Sequence, residues 1–205
     1  MLSSYVSTRE KKLANILNLE LNRKVEHVLD PSMLVSVEEY MQFAHLPEQF
    51  QPNTYLLCYF MPNNEKQRIQ VIEYAKKHNL KIVIMALHAS DYLFEEAEIY
   101  AEAGPREFVG LIANAAAVFT SSFHCTIFSI LFNKDFYVFQ AKASSKTSDT
   151  NQRFNEQLQT YGINRLIKWE SELSEDIEKP IDYNKVNKIF KARLETSKNY
   201  LNQFV

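Results

Sequence analysis

Glycine is scarce in this 205-residue chain, and its scarcity excludes two large classes of nucleotide site. Only three glycines are present, Gly104, Gly110 and Gly162. Neither a GxGxxG loop nor a P-loop can be assembled from them, because each needs glycines at fixed, close spacing. Rossmann-type dinucleotide chemistry and P-loop phosphoryl transfer are therefore excluded.

An excess of charge, long apolar runs and a cysteine framework are also missing. The net charge of -2 and the pI near 6.2 give no electrostatic case for nucleic-acid binding. No apolar run reaches the length of a membrane span, and residues 1–12 lack the order of a signal peptide. Cys58 and Cys125 lie in apolar surroundings, which indicates buried thiols in a reducing compartment. These features predict a cytoplasmic protein, with attachment at the inner membrane face as a variant, and the five histidines show no metal-ligand spacing.

The apolar pattern predicts one α/β domain over residues 1–205. Apolar residues make up 46% and charged residues 23%, as in a globular protein with a proper core. The predicted strands are Leu2–Val6, Val25–Leu29, Thr54–Phe60, Leu80–Leu87, Ala117–Thr120 and Asp135–Gln140. Seven helices are predicted. The first four run from Ser7 or Thr8 to about Leu21, over Val37–Phe43, from Asn64 to Asn79 and from Gly104-Pro105 onward. The last three run from His124 to about Asn133, over Thr150–Tyr161 and over about Tyr183–Gln203. Residues 88–103 and 142–151 read as irregular or flexible. The alternation predicts a doubly wound, mostly parallel Rossmann-like sheet of five or six strands with helices on both faces.

The turn at residues 121–124 is the strongest candidate for a ligand site. A short apolar strand ends at Thr120, and Ser121 and Ser122 precede a helix that begins near His124. Unpaired backbone N–H groups and the helix dipole converge at such a turn, so it predicts a site for phosphate or carboxylate. Ser121, Ser122 and Thr120 are candidate donors to the anion, although a serine-rich turn is often only a helix cap. His124 is either a cation facing the anion or a capping or core histidine, and residue chemistry alone leaves the two equal. A nucleophilic pair with Cys125 is disfavoured because adjacent helical side chains diverge by about 100°.

Several stretches of the chain carry a family resemblance. GPREF at 104–108 and TSSFHCTIFSILFNKDF at 120–136 resemble the C-terminal signature of the polysaccharide pyruvyl transferase family. STRE at 7–10, VLDPSML at 28–34, the Arg153 to Arg165 segment and the Arg193 to Leu201 helix are similar to further family segments, in the same order. Two residues depart from the family pattern. Cys125 stands where glycine is usual and is expected to narrow the approach to a ligand, and Ala116 stands where aspartate is frequent.

The resemblance implies the second, donor-binding domain of a GT-B-like enzyme that transfers pyruvate from phosphoenolpyruvate to sugar hydroxyls as a ketal in surface polysaccharide biosynthesis. In that family, the residues that match His124 and Arg9 hold the donor, which is a substrate and not a cofactor. Residue chemistry alone makes Arg9 an ordinary surface arginine. Glu107 could hold a ribose or sugar hydroxyl as acidic residues do in such domains, although complementing the helix dipole is its simpler role. The implied partners are a sugar or lipid-linked oligosaccharide acceptor and a homodimer or partner chain that covers the cleft.

The resemblance covers only the second half of the family's usual length. The chain is thus expected to be an isolated domain, a truncated reading frame or a naturally split protein, and to be inactive without a first half. Two alternatives stay open. One is a GT-B glycosyltransferase domain that binds a nucleotide sugar at the same turn, and the other is a non-catalytic module that pairs with a separate first-half chain.

Overall fold

A computed structural model of the chain describes residues 5–61, 64–141, 148–169, 171, 173–174 and 178–204. Its strands are β1 (Ser7–Thr8), β2 (Glu26–His27), β3 (Tyr55–Tyr59), β4 (Lys81–Met85), β5 (Ala97–Tyr100), β6 (Ala117–Thr120), β7 (Asp135–Phe139) and β8 (Leu166–Ile167). Its α-helices are α1 (Lys11–Glu20), α2 (Val37–Phe43), α3 (Glu65–His78), α4 (Pro105–Asn114), α5 (Phe123–Leu131), α6 (Ser148–Tyr161) and α7 (Tyr183–Leu201). Short 3-10 helices cover Pro31–Met33 and Ala89–Leu93.

Six strands form one parallel sheet in the order β5-β4-β3-β6-β7-β8. The chain builds outward from β3 to β5, then returns to place β6 on the other side of β3. The carboxyl ends of β3 and β6 therefore flank the point where the strand order reverses, which is where open α/β sheets bind ligands. The predicted doubly wound α/β fold is confirmed.

The two faces of the sheet bury separate apolar clusters, because successive side chains of a strand point to opposite sides. Tyr55 and Leu57 pack into the larger cluster, with side chains from α4, α5, α6 and α7. Leu56 and Cys58 pack into the smaller cluster, which α3 covers. Helices thus lie on both faces, and most of them lie on the face that carries α5.

The helices begin and end where their terminal residues satisfy the backbone. Asn64 caps α3 by accepting a hydrogen bond from Gln67 N–H, and the Gln67 side chain accepts one from Asn64 N–H in return. Asn79 ends the same helix in the left-handed conformation, with φ of 52°. Ser122 caps α5. The predicted closing helix is confirmed as α7, whose Val186 side chain is buried in the larger cluster.

The two N-terminal strands were assigned to the main sheet, and that assignment is wrong. β1 and β2 pair with each other in a separate parallel sheet. Of the predicted strand Leu2–Val6, residues 1–4 lie outside the described residues, and the observed strand is Ser7–Thr8. Ser7 and Thr8 therefore do not cap α1, whose N-cap is Glu10 without a side-chain hydrogen bond. The second strand is shorter than predicted because Asp30 caps the 3-10 helix that follows it.

Two strands of the main sheet were missed. β5 lies within the stretch predicted to be irregular, because its residues are only partly buried and include the exposed Glu98. β8 is two residues long, which is too short for a periodic signal. Of the predicted loop 142–151, residues 142–147 lie outside the described residues, and α6 begins at Ser148. Among the helices described, none is both long enough and apolar enough to cross a membrane.

Candidate functional site

The predicted anion turn lies at the reversal point of the sheet. Thr120 Oγ1 donates to Tyr59 O at 2.7 Å, and Ser121 Oγ accepts from Met61 N–H at 2.7 Å. These bonds join the ends of β3 and β6. Thr120 Oγ1 also accepts from Ser122 N–H at 2.9 Å, so its only hydroxyl hydrogen is already used within the turn.

The turn keeps several donors for a ligand. Ser121 and Ser122 accept hydrogen bonds from Met61 and Cys125 N–H, which leaves their hydroxyl hydrogens available. The N–H groups of Phe123 and His124 occupy the first turn of α5 and have no acceptor within the helix. Backbone N–H groups at a helix N-terminus favour an anion.

His124 and Cys125 are adjacent in sequence but lie in opposite environments. The His124 side chain is exposed, with its ring edge-on to Phe123 at 5.9 Å between centroids. Cys125 is completely buried in the larger apolar cluster, and burial raises the pKa of its thiol to about 12 although hydrogen bonds with Thr120 and Ser129 oppose the shift. The thiol therefore faces the core, which disfavours its use as a nucleophile, and its effect on the approach to the turn stays a prediction.

Arg9 is brought to the same turn by the small sheet. It follows β1, and its guanidinium lies 5.3 Å from the centroid of the Phe123 ring. Its Nη1 pairs with Asp30 Oδ2, and its Nε lies 3.0 Å from Glu10 Oε1. Arg9 Nη2 takes part in neither of these two pairs. The guanidinium is thus fixed in orientation with one donor group left for a ligand.

Asp30 holds Arg9 in this position. Burial acts to raise the pKa of Asp30, but hydrogen bonds from Ser32 and Arg9 outweigh it and lower the pKa. Ser32 donates to Asp30 Oδ1 from its N–H at 3.0 Å and from its hydroxyl at 2.7 Å. The carboxylate therefore stays ionised beside Arg9.

A cavity of about 220 Å³ is lined by Phe123 and Arg9. Its charged lining includes two arginines that the sequence analysis placed in family segments without assigning them to the site, Arg153 and Arg193. The Arg153 guanidinium lies over the Phe123 ring at 4.4 Å. Arg153 Nε is 3.2 Å from Glu10 Oε1 but lacks hydrogen-bond geometry to it. The other lining side chains are Arg9, Glu10, Lys11, His27, Glu156, Gln157, Gln159 and Thr160.

His27 links Arg193 to the small sheet. Arg193 Nη2 lies 3.1 Å from His27 Nε2, which is also 3.2 Å from Arg9 O. Burial, followed by the charge of Arg193, lowers the pKa of His27. A neutral ring can accept from Arg193 through Nε2 and carry its proton on Nδ1. His27 therefore positions Arg193 without adding positive charge.

Glu107 occupies the helix-capping role that was its simpler interpretation. Its Oε2 accepts a hydrogen bond from Gly104 N–H at 3.0 Å, at the start of α4. Within the described part of the chain, no hydrogen bond or ion pair joins it to Arg9, to His124 or to the serines of the turn. The structure therefore brings Arg9 and the α5 turn together and leaves Glu107 with its own helix. Within the described ranges, no group of three histidine, cysteine, aspartate or glutamate side chains could hold a metal ion.

Solved structures with a similar fold act on nucleotide sugars. The UDP-GlcNAc 2-epimerase of Methanocaldococcus jannaschii, solved with UDP-GlcNAc and UDP, matches with a TM-score of 0.55 and 14% identity, covering 94% of this chain and 54% of that chain. The UDP-GlcNAc 2-epimerase of Neisseria meningitidis, bound to UDP-GlcNAc, matches with a TM-score of 0.52 and 15% identity, covering 95% and 60%. This chain therefore spans between half and two thirds of the length of these proteins. At such identities the likeness shows the fold alone, a Rossmann-like α/β domain.

The family model of polysaccharide pyruvyl transferase matches residues 1–140. The chain belongs to the polysaccharide pyruvyl transferase family. No curated protein matches the chain. The family match covers 140 of the 205 residues, and the structural likeness adds only the fold.

Proposed function

We propose that this chain is the donor-binding domain of an enzyme that transfers pyruvate from phosphoenolpyruvate to two hydroxyls of a sugar as a ketal. The observation that carries the proposal is the position of Arg9, which a contact across more than half the chain brings beside Phe123. A guanidinium and the N–H groups of a helix N-terminus then face the same space, at the reversal point of the sheet. Such a pair suits a small molecule with both phosphate and carboxylate groups.

The proposed chemistry places developing negative charge at this turn. A proton adds to the methylene carbon of phosphoenolpyruvate, and a sugar hydroxyl attacks the adjacent carbon, which has become cation-like. The C–O bond to phosphate breaks, and a second hydroxyl closes the ketal. Arg9 and His124 hold the donor and stabilise the departing phosphate, with Ser121 and Ser122 as further donors. The acceptor is a free sugar or a lipid-linked oligosaccharide.

Calorimetric titration with phosphoenolpyruvate tests the proposal. Arg9→Ala and His124→Ala should each weaken binding by at least about tenfold, because each removes one charged or donor group from the anion. His45→Ala, which removes an exposed histidine elsewhere, is the matched control and should bind as the parent does. Binding that survives both site substitutions would show that the donor does not occupy this turn.

The fold supports a second candidate, a nucleotide-sugar site at the same helix N-terminus. The epimerases with this fold were solved with UDP-GlcNAc, whose diphosphate is also an anion. A thermal-shift comparison separates the two candidates. Stabilisation by phosphoenolpyruvate but not by UDP or GDP supports pyruvyl transfer, and the reverse supports a glycosyltransferase domain.

A non-catalytic role beside a separate first-half chain is the third candidate. The outer face of α1 exposes Leu13, Ile16 and Leu19, the last to 84%. An apolar helix face of this kind is typical of a protein interface. Sedimentation of the isolated chain tests this candidate, since self-association that Leu19→Lys abolishes would favour it.

A further inference from the structure

The cavity shares Arg9 and Phe123 with the α5 turn, but His124, Ser121 and Ser122 do not line it. Its walls come from the start of α1 and from α6 and α7, together with His27 and Phe123. A volume of about 220 Å³ is several times the ~30 Å³ that one water occupies in the liquid. It is smaller than the roughly 300–1,000 Å³ of sites for drug-sized ligands. Its size suits a phosphate or diphosphate group and not a whole nucleotide.

The lining carries an excess of positive charge. Its basic side chains are Arg9, Lys11, Arg153 and Arg193, and its carboxylates are Glu10 and Glu156. Asp30, just outside the lining, neutralises Arg9, and His27 stays neutral beside Arg193. Lys11, Arg153 and Arg193 then face the carboxylates of Glu10 and Glu156, of which Glu10 lies 3.2 Å from Arg153 Nε, so the lining keeps a net positive charge.

In both Arg153 and Arg193 the Nε atom makes no well-aligned hydrogen bond, although Arg153 Nε lies 3.2 Å from Glu10 Oε1. The Nε atoms of Arg153 and Arg193 are buried and have no hydrogen-bond partner in the described part of the chain. An unpaired buried donor such as Arg193 Nε costs about 1–3 kcal/mol, so an acceptor supplied by a ligand would be favoured. Arg165 also has unpaired nitrogens, yet its side chain is only 1% exposed, and a ligand cannot reach it. Arg153 is 29% exposed and lines an open cavity.

We infer that this cavity is a second anion subsite, which binds a phosphate or diphosphate group through Arg153 and Arg193. Arg9 and Phe123 line the cavity, whereas His124, Ser121 and Ser122 do not, so the second anion would lie beside the first. The inference does not depend on phosphoenolpyruvate being the donor. In an enzyme with two substrates, the subsite would hold a phosphorylated acceptor next to the donor.

Titration of the whole chain with inorganic pyrophosphate tests the inference. We expect one equivalent to bind, with affinity that falls as salt rises. Arg153→Gln and Arg193→Gln should each weaken binding at least tenfold, while Lys188→Gln, on the exposed side of α7, should have no effect. His124→Ala should leave pyrophosphate binding unchanged, and saturating phosphoenolpyruvate should not displace it. Parent-like binding by both arginine variants, one-for-one displacement by phosphoenolpyruvate or absence of binding would overturn the inference.

If Arg193→Gln does not fold, a spectroscopic measurement on the unaltered chain tests the inference instead. In ¹H–¹⁵N spectra of arginine side chains, the Nε–H signals of Arg153 and Arg193 should shift when pyrophosphate is added, while that of Arg165 should not. Comparing pyrophosphate with inorganic phosphate distinguishes a diphosphate from a monophosphate ligand. Equal shifts of all three signals would indicate a nonspecific ionic effect and reject the subsite. If phosphoenolpyruvate fails to bind but these shifts appear, the proposed donor is wrong and the subsite stands.

Discussion

Arginines at the two edges of the main sheet are held in opposite ways. At the amino edge, Arg165 is 1% exposed, pairs with Asp135 at 2.7 Å and lies over the Tyr137 ring at 4.7 Å. Asp135 also accepts from Tyr74 OH at 2.9 Å, so one carboxylate ties together α3, β7 and the start of β8. At the carboxyl edge, Arg9 and Arg153 flank Phe123 and stay 32% and 29% exposed. Arg165 therefore stabilises the interior of the fold, whereas Arg9 and Arg153 stay accessible to a ligand.

Removal of the internal tie should have the largest effect on stability. Arg165→Met keeps much of the side-chain volume but leaves Asp135 with fewer partners. Because Asp135 is 36% exposed and keeps its bond from Tyr74, we expect a loss of about 2–3 kcal/mol, less than for a fully buried pair. Urea unfolding measures this loss. Arg153→Met, which breaks a partly exposed pair, should cost less than about 1 kcal/mol. Equal losses would show that the two edges do not differ.

Cys125→Gly tests whether the buried side chain below the α5 turn restricts the binding of a ligand there. Glycine adds backbone freedom in a helix and removes a buried side chain, so we expect a loss of about 2 kcal/mol. Affinity for phosphoenolpyruvate should stay within about twofold, because the thiol faces the core. Cys125→Ala is the control that isolates the backbone contribution. A gain in affinity on introduction of glycine would mean that the thiol does obstruct the site.

Asp30→Asn should have the smallest effect, and one that depends on pH. The lowered pKa of Asp30 means that its ionised form stabilises the fold above the unfolded-state pKa of about 3.9. This contribution disappears as pH falls through the lower, folded-state pKa. The parent should therefore be more stable than Asp30→Asn by about 1 kcal/mol at pH 7, and the difference should vanish at low pH. Paired urea unfolding curves at the two pH values provide the measurement, and a gap that persists in acid would assign the effect to packing.

The interior strands and the α5 turn were predictable because their signals are local. TYLLCYF is an uninterrupted apolar run, which only a strand covered on both faces accommodates, and it gave β3 within one residue at each end. Ser122 directly precedes an apolar helix, so its capping role followed from residue type. The family resemblance added Arg9, for which residue chemistry alone gave only a surface arginine.

The cavity could not be predicted, because its cations meet only through tertiary packing. Arg153 and Arg193 lie on different helices, and no spacing in the sequence indicates that both approach Phe123. His27 was assigned to a strand of the main sheet, so its contact with α7 could not be predicted. The sequence does contain a signal for β5, since within Ala97 to Tyr100 apolar residues flank the exposed Glu98 on both sides. The cytoplasmic location and the single-domain boundary stay predictions.

The contacts that close the cavity join the two ends of the chain. Arg193 meets His27 across 166 residues, and Ser197 Oγ accepts from Leu29 N–H across 168. Forming them closes long loops, whose closure entropy must be met before the contacts contribute. We therefore expect α7 to dock late in folding and to detach first when the chain opens locally. Detachment of α7 would abolish the cavity while the central strands stayed paired. Anion binding would therefore measure whether α7 is docked on the rest of the fold.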